Sequence, residues 1–209
     1  METRELQQKL DDLGFAPGPV DGLEGPATRT AAARFQLACN LPGHQDLAVD
    51  AIPGPQTWAA LEAAHASRKL SDHFSAAELR SKGDGTCWPH RDLLKALEVL
   101  RAYVGKPLPI VSGWRDPAHN RRVGGAAASQ HTFGDAHELH AIKVRLASNA
   151  HLAAGRAADF NRGYITLDML RSLNLFSGVG WRLDGEQWVT HGDVRTTAQT
   201  YNPSVWQYK

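Results

Sequence analysis

Four of the ten histidines in this sequence lie between residues 129 and 160. Catalytic zinc sites take three protein ligands from histidine and carboxylate side chains and leave a fourth position for water. His131, Asp159 and His191 would supply such a set, and Arg115 would supply a cation beside it. Spacing alone is weak evidence, because His131 and Asp159 are 28 positions apart. The residue types therefore indicate a candidate metal site without fixing its ligands.

Such a site needs strands whose ends meet at one cleft. Residues 108–116 and 157–161 are predicted as strands, and 188–195 is a third candidate. A helix is predicted at 166–174, and the clearest amphipathic helix of the chain covers 91–104. Helices and strands that alternate without a regular parallel-sheet rhythm predict an α+β domain with a small antiparallel sheet.

The start of the chain predicts a separate, all-α unit. Two related phrases, DGLEGPATRTAAARFQ (21–36) and DAIPGPQTWAALEAA (50–64), each lead from Asp through Gly-Pro into an apolar helical pattern. Gly-Pro makes a turn and places proline at the first helical position. Leu6, Leu10 and Leu13 give a preceding helix a one-sided apolar face. We therefore expect three helices joined by short loops.

The composition excludes several classes of function. A hydrophobic content of 42% with 22% charged residues is ordinary for a globular protein and argues against disorder. The net charge of +1 gives no reason to expect a nucleic-acid partner. No apolar run approaches the roughly 18 residues of a membrane span, and residues 1–14 lack the basic and apolar regions of a secretory signal. Cys39 and Cys87 are expected to be reduced core residues.

The N-terminal phrases resemble the three-helix peptidoglycan-binding domain found on many cell-wall hydrolases. The resemblance covers nearly all of residues 3–64. It departs at a long connection over 40–50 and at Asp50-Ala51, where the family has Asp-Gly. The resemblance implies bacterial peptidoglycan as the partner. We assign residues 1–66 to this domain and residues 67–209 to a second one.

The second domain contains three phrases that belong together: SGWRDPAHNRRVGGAAASQHTFG (112–134), GRAADF (155–160) and WVTHGDVR (188–195). Together they resemble the zinc D-alanyl-D-alanine carboxypeptidase and endopeptidase family. In that family a His and an Asp of one motif and a later His bind zinc, which corresponds here to His131, Asp159 and His191. The family's arginine, here Arg115, would bind a substrate carboxylate or steady the oxyanion. The resemblance implies a Zn²⁺ cofactor and metal-assisted amide hydrolysis.

The family motif is contiguous, whereas here it is divided, and two alignments compete. A straight reading of SQHTFGDAHE puts Glu138 at the position of the zinc carboxylate. The other alignment joins SQHTFG to GRAADF across an insertion near 135–154 and makes Asp159 the ligand. We favour Asp159, because a turn and a helix follow it as in the family. Three histidines then become insertion residues, exposed or part of a lid over the cleft: His137, His140 and His151.

The general base stays open at this stage. Several relatives carry an acid three residues before the last ligand, where this chain has Trp188. The acids nearest in sequence are Glu186 and Asp193, and Asp193 lies on the same strand face as His191. We favour Asp193 as the base, with orientation of His191 as its alternative role.

The combined pattern predicts a zinc-dependent peptidoglycan peptidase of the endolysin type, targeted by its N-terminal domain. We expect a monomer, phage-encoded, that is made in the cytoplasm and acts on the wall after release. A D-Ala–D-Ala, a D-Ala–diaminopimelate and an L-Ala–D-Glu bond are all open as the bond that is cut. The alternative is a non-catalytic peptidoglycan-binding protein with a degenerate peptidase domain.

Overall fold

The computed structural model describes residues 2–44, 46–127, 129–132, 155–173, 175–184, 186–194 and 204–207. The predicted insertion near 135–154, with Glu138 and its three histidines, lies outside these residues. In the described part of the chain, no helix is both long and apolar enough to span a membrane.

Three helices form the N-terminal region: α1 (Thr3–Asp12), α2 (Pro26–Ala38) and α3 (Pro55–Ser67). Each of the last two begins with proline directly after an extended glycine, Gly25 or Gly54. Proline suits this position because the first helical N–H has no partner within the helix. The apolar faces meet in a core where Phe15 packs edge-on against Phe35, with ring centroids 5.6 Å apart. The predicted three-helix arrangement is therefore present.

One buried glutamine organises each of the two loops between these helices. Gln7 and Gln36 are both 1% exposed. The Nε2 group of each donates to an aspartate carboxylate, a carbonyl and a threonine hydroxyl that lie 14, 16 and 21 positions later in both loops. The Oε1 atom of each accepts backbone N–H groups. The two loops are thus repeats of one hydrogen-bonded unit.

The repeats differ at one backbone position. The φ angle is +82° at Gly22 and +62° at Ala51. This left-handed conformation favours glycine, because a β-carbon there approaches the backbone too closely. The second loop therefore carries local strain that the first does not.

The N-terminal helices pack directly on the next part of the chain, which adds two helices, α4 (Ala76–Leu79) and α5 (Arg91–Val104). The Cys87 N–H donates to the Gly14 carbonyl at 2.8 Å. The Arg34 guanidinium lies 3.3 Å from the centroid of the Trp88 ring, and Trp88 stacks on Trp114 with centroids 4.9 Å apart. One hydrophobic core includes residues from both regions. The predicted domain boundary lies at the end of α3, and these contacts cross it.

The later region contains a five-stranded sheet in the order β1-β2-β4-β3-β5. Its strands are β1 (Ile110–Ser112), β2 (Ala157–Phe160), β3 (Gly178–Asp184), β4 (Glu186–Asp193) and β5 (Ser204–Gln207). Strands β1 to β4 pair antiparallel, whereas β5 joins β3 in parallel. Two short helices complete the region, α6 (Pro117–Arg122) and α7 (Leu167–Leu173). The predicted α+β class is confirmed, and the parallel strand β5 is an addition to the predicted antiparallel sheet.

Candidate metal centre

The register of two antiparallel strands places Asp159 beside His191. Asp159 in β2 is the direct partner of His191 in β4. Paired residues of antiparallel strands project to the same face, with Cβ atoms about 5 Å apart. On the other side of β4, the partner of His191 is Gly180, which has no side chain. The sheet itself therefore brings two of the predicted ligands together.

His131 reaches the same point from a loop. Its ring is buried, and Nδ1–H donates to the Gly113 carbonyl at 2.7 Å. Its own carbonyl accepts the Arg115 N–H at 3.0 Å. Gly155 lies so close to this loop that a β-carbon there would be 3.1 Å from the His131 carbonyl oxygen and 3.3 Å from Trp114 Cα. Contacts with both the SGWR and the GRAADF phrases thus fix His131.

The three predicted ligands converge on one point. Asp159 Oδ1 lies 3.1 Å from His131 Nε2 and 2.8 Å from His191 Nδ1, and the two ring nitrogens are 3.3 Å apart. Within the described residues, this is the one group of three such side chains that could hold a metal ion. Tetrahedral zinc with bonds of about 2.0–2.1 Å holds its ligand atoms about 3.3 Å apart. The spacing therefore fits a single zinc ion.

In one protonation state, the three side chains point lone pairs at one another. A carbonyl only accepts, so neutral His131 carries its proton on Nδ1 and presents a bare Nε2 to the cluster. When His191 is neutral with its proton on Nε2, toward the Asp193 carboxylate at 3.4 Å, its Nδ1 presents a second lone pair. The Asp159 carboxylate is the third acceptor. Two histidine nitrogens and one carboxylate oxygen in this form are a donor set that suits zinc.

Local electrostatics favour the metal-binding form of most of the cluster. Burial lowers the pKa of His131, although Asp159 opposes this. Burial would raise the pKa of Asp159, but hydrogen bonds with both histidines outweigh it and hold this pKa well below its usual value. Burial would lower the pKa of His191, but Asp159 and Asp193 outweigh it, and the pKa is raised. His191 is therefore the ligand that takes up a proton most readily.

Arg115 lies at the cluster, where it contacts one of the ligands. Its Nη2 donates to Asp159 Oδ2, the oxygen that the histidines do not share, and its Nε donates to Ser112 Oγ at 2.8 Å. Ser112 is itself the partner of Asp159 in the pairing of β1 with β2. The partly exposed Arg115 side chain also lines the cleft in front of the ligands. Arg115 thus holds Asp159 in place and keeps a cation at the cleft wall.

Asp193 lies behind His191 rather than beside the ligand atoms. Its carboxylate faces His191 Nε2, whereas Nδ1 is the nitrogen that points into the cluster. Asp193 has no exposed surface, and a general base must reach a water molecule. This position supports orientation of His191 as the role of Asp193, rather than the role of general base that the sequence analysis preferred.

The strand register places the backbone of Glu186 far from the cluster. Glu186 is the first residue of β4, and it pairs with Asp184 at the turn end of the β3–β4 hairpin. Its backbone is separated from that of His191 by about 17 Å along the strand, at roughly 3.3 Å per residue. The carboxylates among the described cleft-lining residues are the ligand Asp159 and the buried Asp193.

The cluster opens into a cleft of about 790 Å³. A cleft of this size accommodates a peptide of several residues, since ligand sites of about 300–1,000 Å³ enclose most of a drug-sized molecule. Its described walls combine apolar side chains such as Val111 and Val123 with polar ones such as Gln130. A second guanidinium, that of Arg182, also lines it.

Sequence reasoning did not single out Arg156 or Arg182. Arg156 is 1% exposed and joins the start of β2 to the start of α5, since it donates to His90 Nε2 at 2.8 Å and to Asp92 Oδ2 at 3.1 Å. The GRAADF phrase contains Arg156, but these partners are 66 and 64 positions away in the chain. No local spacing could have indicated them.

The fold and the cluster together define an α+β protein in which two histidines and one aspartate could hold a metal ion. Residues 64–168 match the family model described as Peptidase M15, and residues 2–61 match that of a putative peptidoglycan binding domain. Because the first match covers half of the chain, this protein belongs to the peptidase M15 family. Its cofactor is Zn²⁺.

Two other proteins give further similarities. The zinc D-Ala-D-Ala carboxypeptidase of Streptomyces albus G is 33% identical over 163 residues, which cover 69% of this chain and 56% of that protein. The putative OxPP cycle protein OpcA of Synechococcus elongatus is 37% identical over 79 residues, which cover 38% of this chain and 16% of that protein. This chain thus spans little more than half the length of the carboxypeptidase.

Proposed function

We propose that this protein is a zinc metallopeptidase that hydrolyses amide bonds in the peptide stems or cross-links of bacterial peptidoglycan. The observation that carries the proposal is the convergence of three potential ligand atoms within 3.3 Å of one another at the cleft. Family membership and the similarity to a zinc D-Ala-D-Ala carboxypeptidase support it. The N-terminal match supports attachment to the wall.

The side chains around the cluster have different roles in such a reaction. Bound zinc would polarise the scissile carbonyl and lower the pKa of a water molecule. His131 and His191 are each held on their second nitrogen, by the Gly113 carbonyl and by Asp193, so that their ligand atoms keep one direction. Arg115 places a preorganised cation where negative charge develops on the substrate oxygen.

We further propose a bacteriolytic, endolysin-like role in phage lysis, in which a single chain both holds and cuts the wall. The presence of a wall-binding match and a peptidase match in one chain supports this role. Loss of turbidity in suspensions of bacteria with permeabilised outer membranes tests it, and light scattering tests the expected monomer.

Zinc content and digestion of purified peptidoglycan test the enzymatic proposal in four proteins: wild type, His131→Ala, Asp159→Ala and Glu138→Ala. We expect wild type and Glu138→Ala to retain zinc and to release fragments with new amino and carboxyl termini. His131→Ala and Asp159→Ala should lose both properties, because each removes one of the converging ligand atoms. Mass spectrometry of the fragments identifies the bond that is cut.

Two other outcomes have distinct meanings. Loss of zinc in Glu138→Ala, with zinc retained in Asp159→Ala, would show that the contiguous motif builds the site. A wild type that binds zinc and wall but cuts nothing would support the non-catalytic binding protein. One observation favours that alternative: no exposed carboxylate other than the ligand Asp159 lines the described part of the cleft.

A further inference from the structure

Two guanidinium groups flank the metal ligands across the sheet. Arg115 follows β1, the ligands Asp159 and His191 lie on β2 and β4, and Arg182 lies on β3. Because the strand order is β1-β2-β4-β3, the two arginines lie on opposite sides of the ligand pair. Both side chains line the same cleft.

The strand register directs Arg182 toward this cleft. Gly180 pairs with His191, and Arg182 is two residues further along β3. The pairing shifts after Gly180, because Thr190 of β4 is passed over, whereas β3 itself is not interrupted. Side chains two residues apart on β3 share a face, so Arg182 lies on the cleft side with His191, about 7 Å along the strand. No side chain projects from the position directly opposite His191, because that residue is Gly180. Trp181, between them, points to the other face and packs against the core.

The two arginines are placed for different tasks. Arg115 donates to the ligand carboxylate of Asp159 and to Ser112, so its charge is coupled to the metal centre. Arg182 lies one strand beyond His191, on the opposite side of the ligands from Arg115. The carboxylates among the described lining residues, Asp159 and Asp193, both contact His191. With zinc bound, the charges of zinc and Arg115 together outweigh those of Asp159 and Asp193, so the metal end of the cleft favours an anionic group of the substrate.

The substrate class of the proposed function, on which this inference rests, supplies such a group. In each of the three candidate bonds, the residue on the leaving side carries a free α-carboxylate. This holds for a terminal D-Ala, for diaminopimelate in a cross-link, and for D-Glu in a stem that continues through its side chain. The α-carboxylate is two bonds from the leaving nitrogen, so it lies close to the zinc when the amide is in place.

We propose that Arg182 binds this α-carboxylate and so selects substrates that carry it on the leaving side of the scissile amide. A guanidinium suits the task because its planar N–H donors match the two oxygens of a carboxylate. Arg182 would then determine specificity, whereas Arg115 acts at the metal centre.

The test is a comparison of two soluble peptides that differ only at the leaving residue, one with a free α-carboxylate and one with a carboxamide. Wild type, Arg182→Gln, Arg182→Lys and the exposed control Arg121→Gln are loaded with zinc. For each protein, kcat/KM is measured on both peptides, and the binding of both peptides is measured by calorimetry. Zinc content is the check on the metal centre.

We expect wild type and Arg121→Gln to prefer the carboxylate peptide by about 10- to 100-fold, as for a hydrogen-bonded charge pair. Arg182→Gln should lose this factor on the carboxylate peptide and keep its rate on the carboxamide peptide within about twofold. Arg182→Lys should retain part of the preference, because it keeps the charge without the planar donors. Zinc content should stay unchanged in all four proteins.

Three outcomes would overturn the inference. Arg182→Gln could keep the full preference, could lower kcat/KM equally on both peptides, or could lose zinc. The last two outcomes would indicate a structural role. Arg115→Gln is measured as a fifth protein, and a fourth outcome, loss of the preference in this variant alone, would assign the carboxylate to Arg115 and also overturn the inference. If the zinc-loaded wild type cleaves neither peptide nor wall, the proposed function fails, and the calorimetric preference still decides whether Arg182 binds the carboxylate.

Discussion

The glutamine-centred loops of the N-terminal region and the metal cluster of the sheet are both buried polar networks, but their hydrogen bonds balance differently. Around Gln7 and Gln36, each amide N–H group faces oxygens and each amide oxygen accepts backbone N–H groups. Around Asp159, three acceptor atoms face one another at 2.8 to 3.3 Å. The first network is complete within the protein, whereas the second, when both histidines are neutral in their metal-binding form, has an excess of acceptors that an ion would compensate.

This difference separates a structural network from a binding site without reference to any motif. A buried polar group is costly unless it is paired, so a complete network stabilises the fold. An excess of acceptors in a buried cluster identifies a cation site, because only a positive charge compensates them. The conclusion holds although the sequence motif of this metal site is divided.

Among the changes that test this difference between the two networks, Gln36→Ala is expected to have the largest effect, a loss of stability. The substitution leaves buried partners of Gln36 without their hydrogen bonds, among them the Ala51 N–H and the Thr57 hydroxyl. We expect the free energy of unfolding to fall by about 3 kcal/mol. Urea denaturation followed by circular dichroism measures it. The exposed glutamine of α1 is the control, and Gln8→Ala should cost under about 0.5 kcal/mol; equal losses in both would contradict the structural role of Gln36.

A smaller effect, a loss of zinc affinity, is expected from Asp193→Asn in the metal cluster. The amide keeps the shape of Asp193 but weakens its interaction with His191 Nε2, which orients the ring. Loss of such a supporting partner typically lowers metal affinity by about 10- to 100-fold. Competition with a zinc chelator measures the dissociation constant. The exposed acid of α1 gives the control Asp11→Asn, and a zinc affinity equal to that of the control would show that Asp193 does not support the ligand.

The pH dependence of zinc binding gives a third effect. Asp159 and Asp193 raise the pKa of His191, whereas the pKa of Asp159 is lowered. As the pH falls through the raised pKa of His191, a proton competes for Nδ1 while Asp159 stays ionised. Zinc affinity should therefore be constant above this pKa and fall by about tenfold per pH unit below it. Chelator competition between pH 8 and pH 5 measures the curve, and a flat curve would contradict this order of protonation.

The smallest effect is expected from Ala51→Gly, which makes the second glutamine-centred loop like the first. Relief of the left-handed backbone at Ala51 is worth about 1–2 kcal/mol, and removal of a buried methyl group costs about 0.8 kcal/mol. We expect a net gain of about 0.5 kcal/mol in unfolding free energy. The reciprocal change Gly22→Ala should cost about 1 kcal/mol. Thermal unfolding compares the two, and a loss on Ala51→Gly would show that packing outweighs strain.

Local patterns predicted the helices well. The periodic leucines of α5 predicted residues 91–104, and the structure has Arg91–Val104, with Gly105 in a left-handed conformation at its end. Periodicity and a terminating glycine are both local signals, so the sequence contains them in one place. The roles of Gln7 and Gln36 escaped prediction because their partners lie up to 21 positions away.

The members of the cluster were predictable from the sequence, but its supporting contacts were not. The family resemblance indicated His131, Asp159 and His191, and the structure brings them together. The side of the His191 ring that Asp193 contacts depends on the β2–β4 register and on a side-chain rotamer. Strand alternation alone places Asp193 on the right face without showing which nitrogen it reaches.

The stack of Arg34 on Trp88, and of Trp88 on Trp114, joins α2 of the N-terminal region to the segment that holds His131. Because of these contacts, the N-terminal region is packed against the rest of the protein and is not connected to it by a free linker alone. If the proposed function holds, each time the N-terminal region binds the wall, only bonds at one distance and angle from that binding site reach the zinc. The fixed spacing between the two regions would then select which cross-links are cut, and bonds at other spacings would remain intact until the protein binds at another position on the wall.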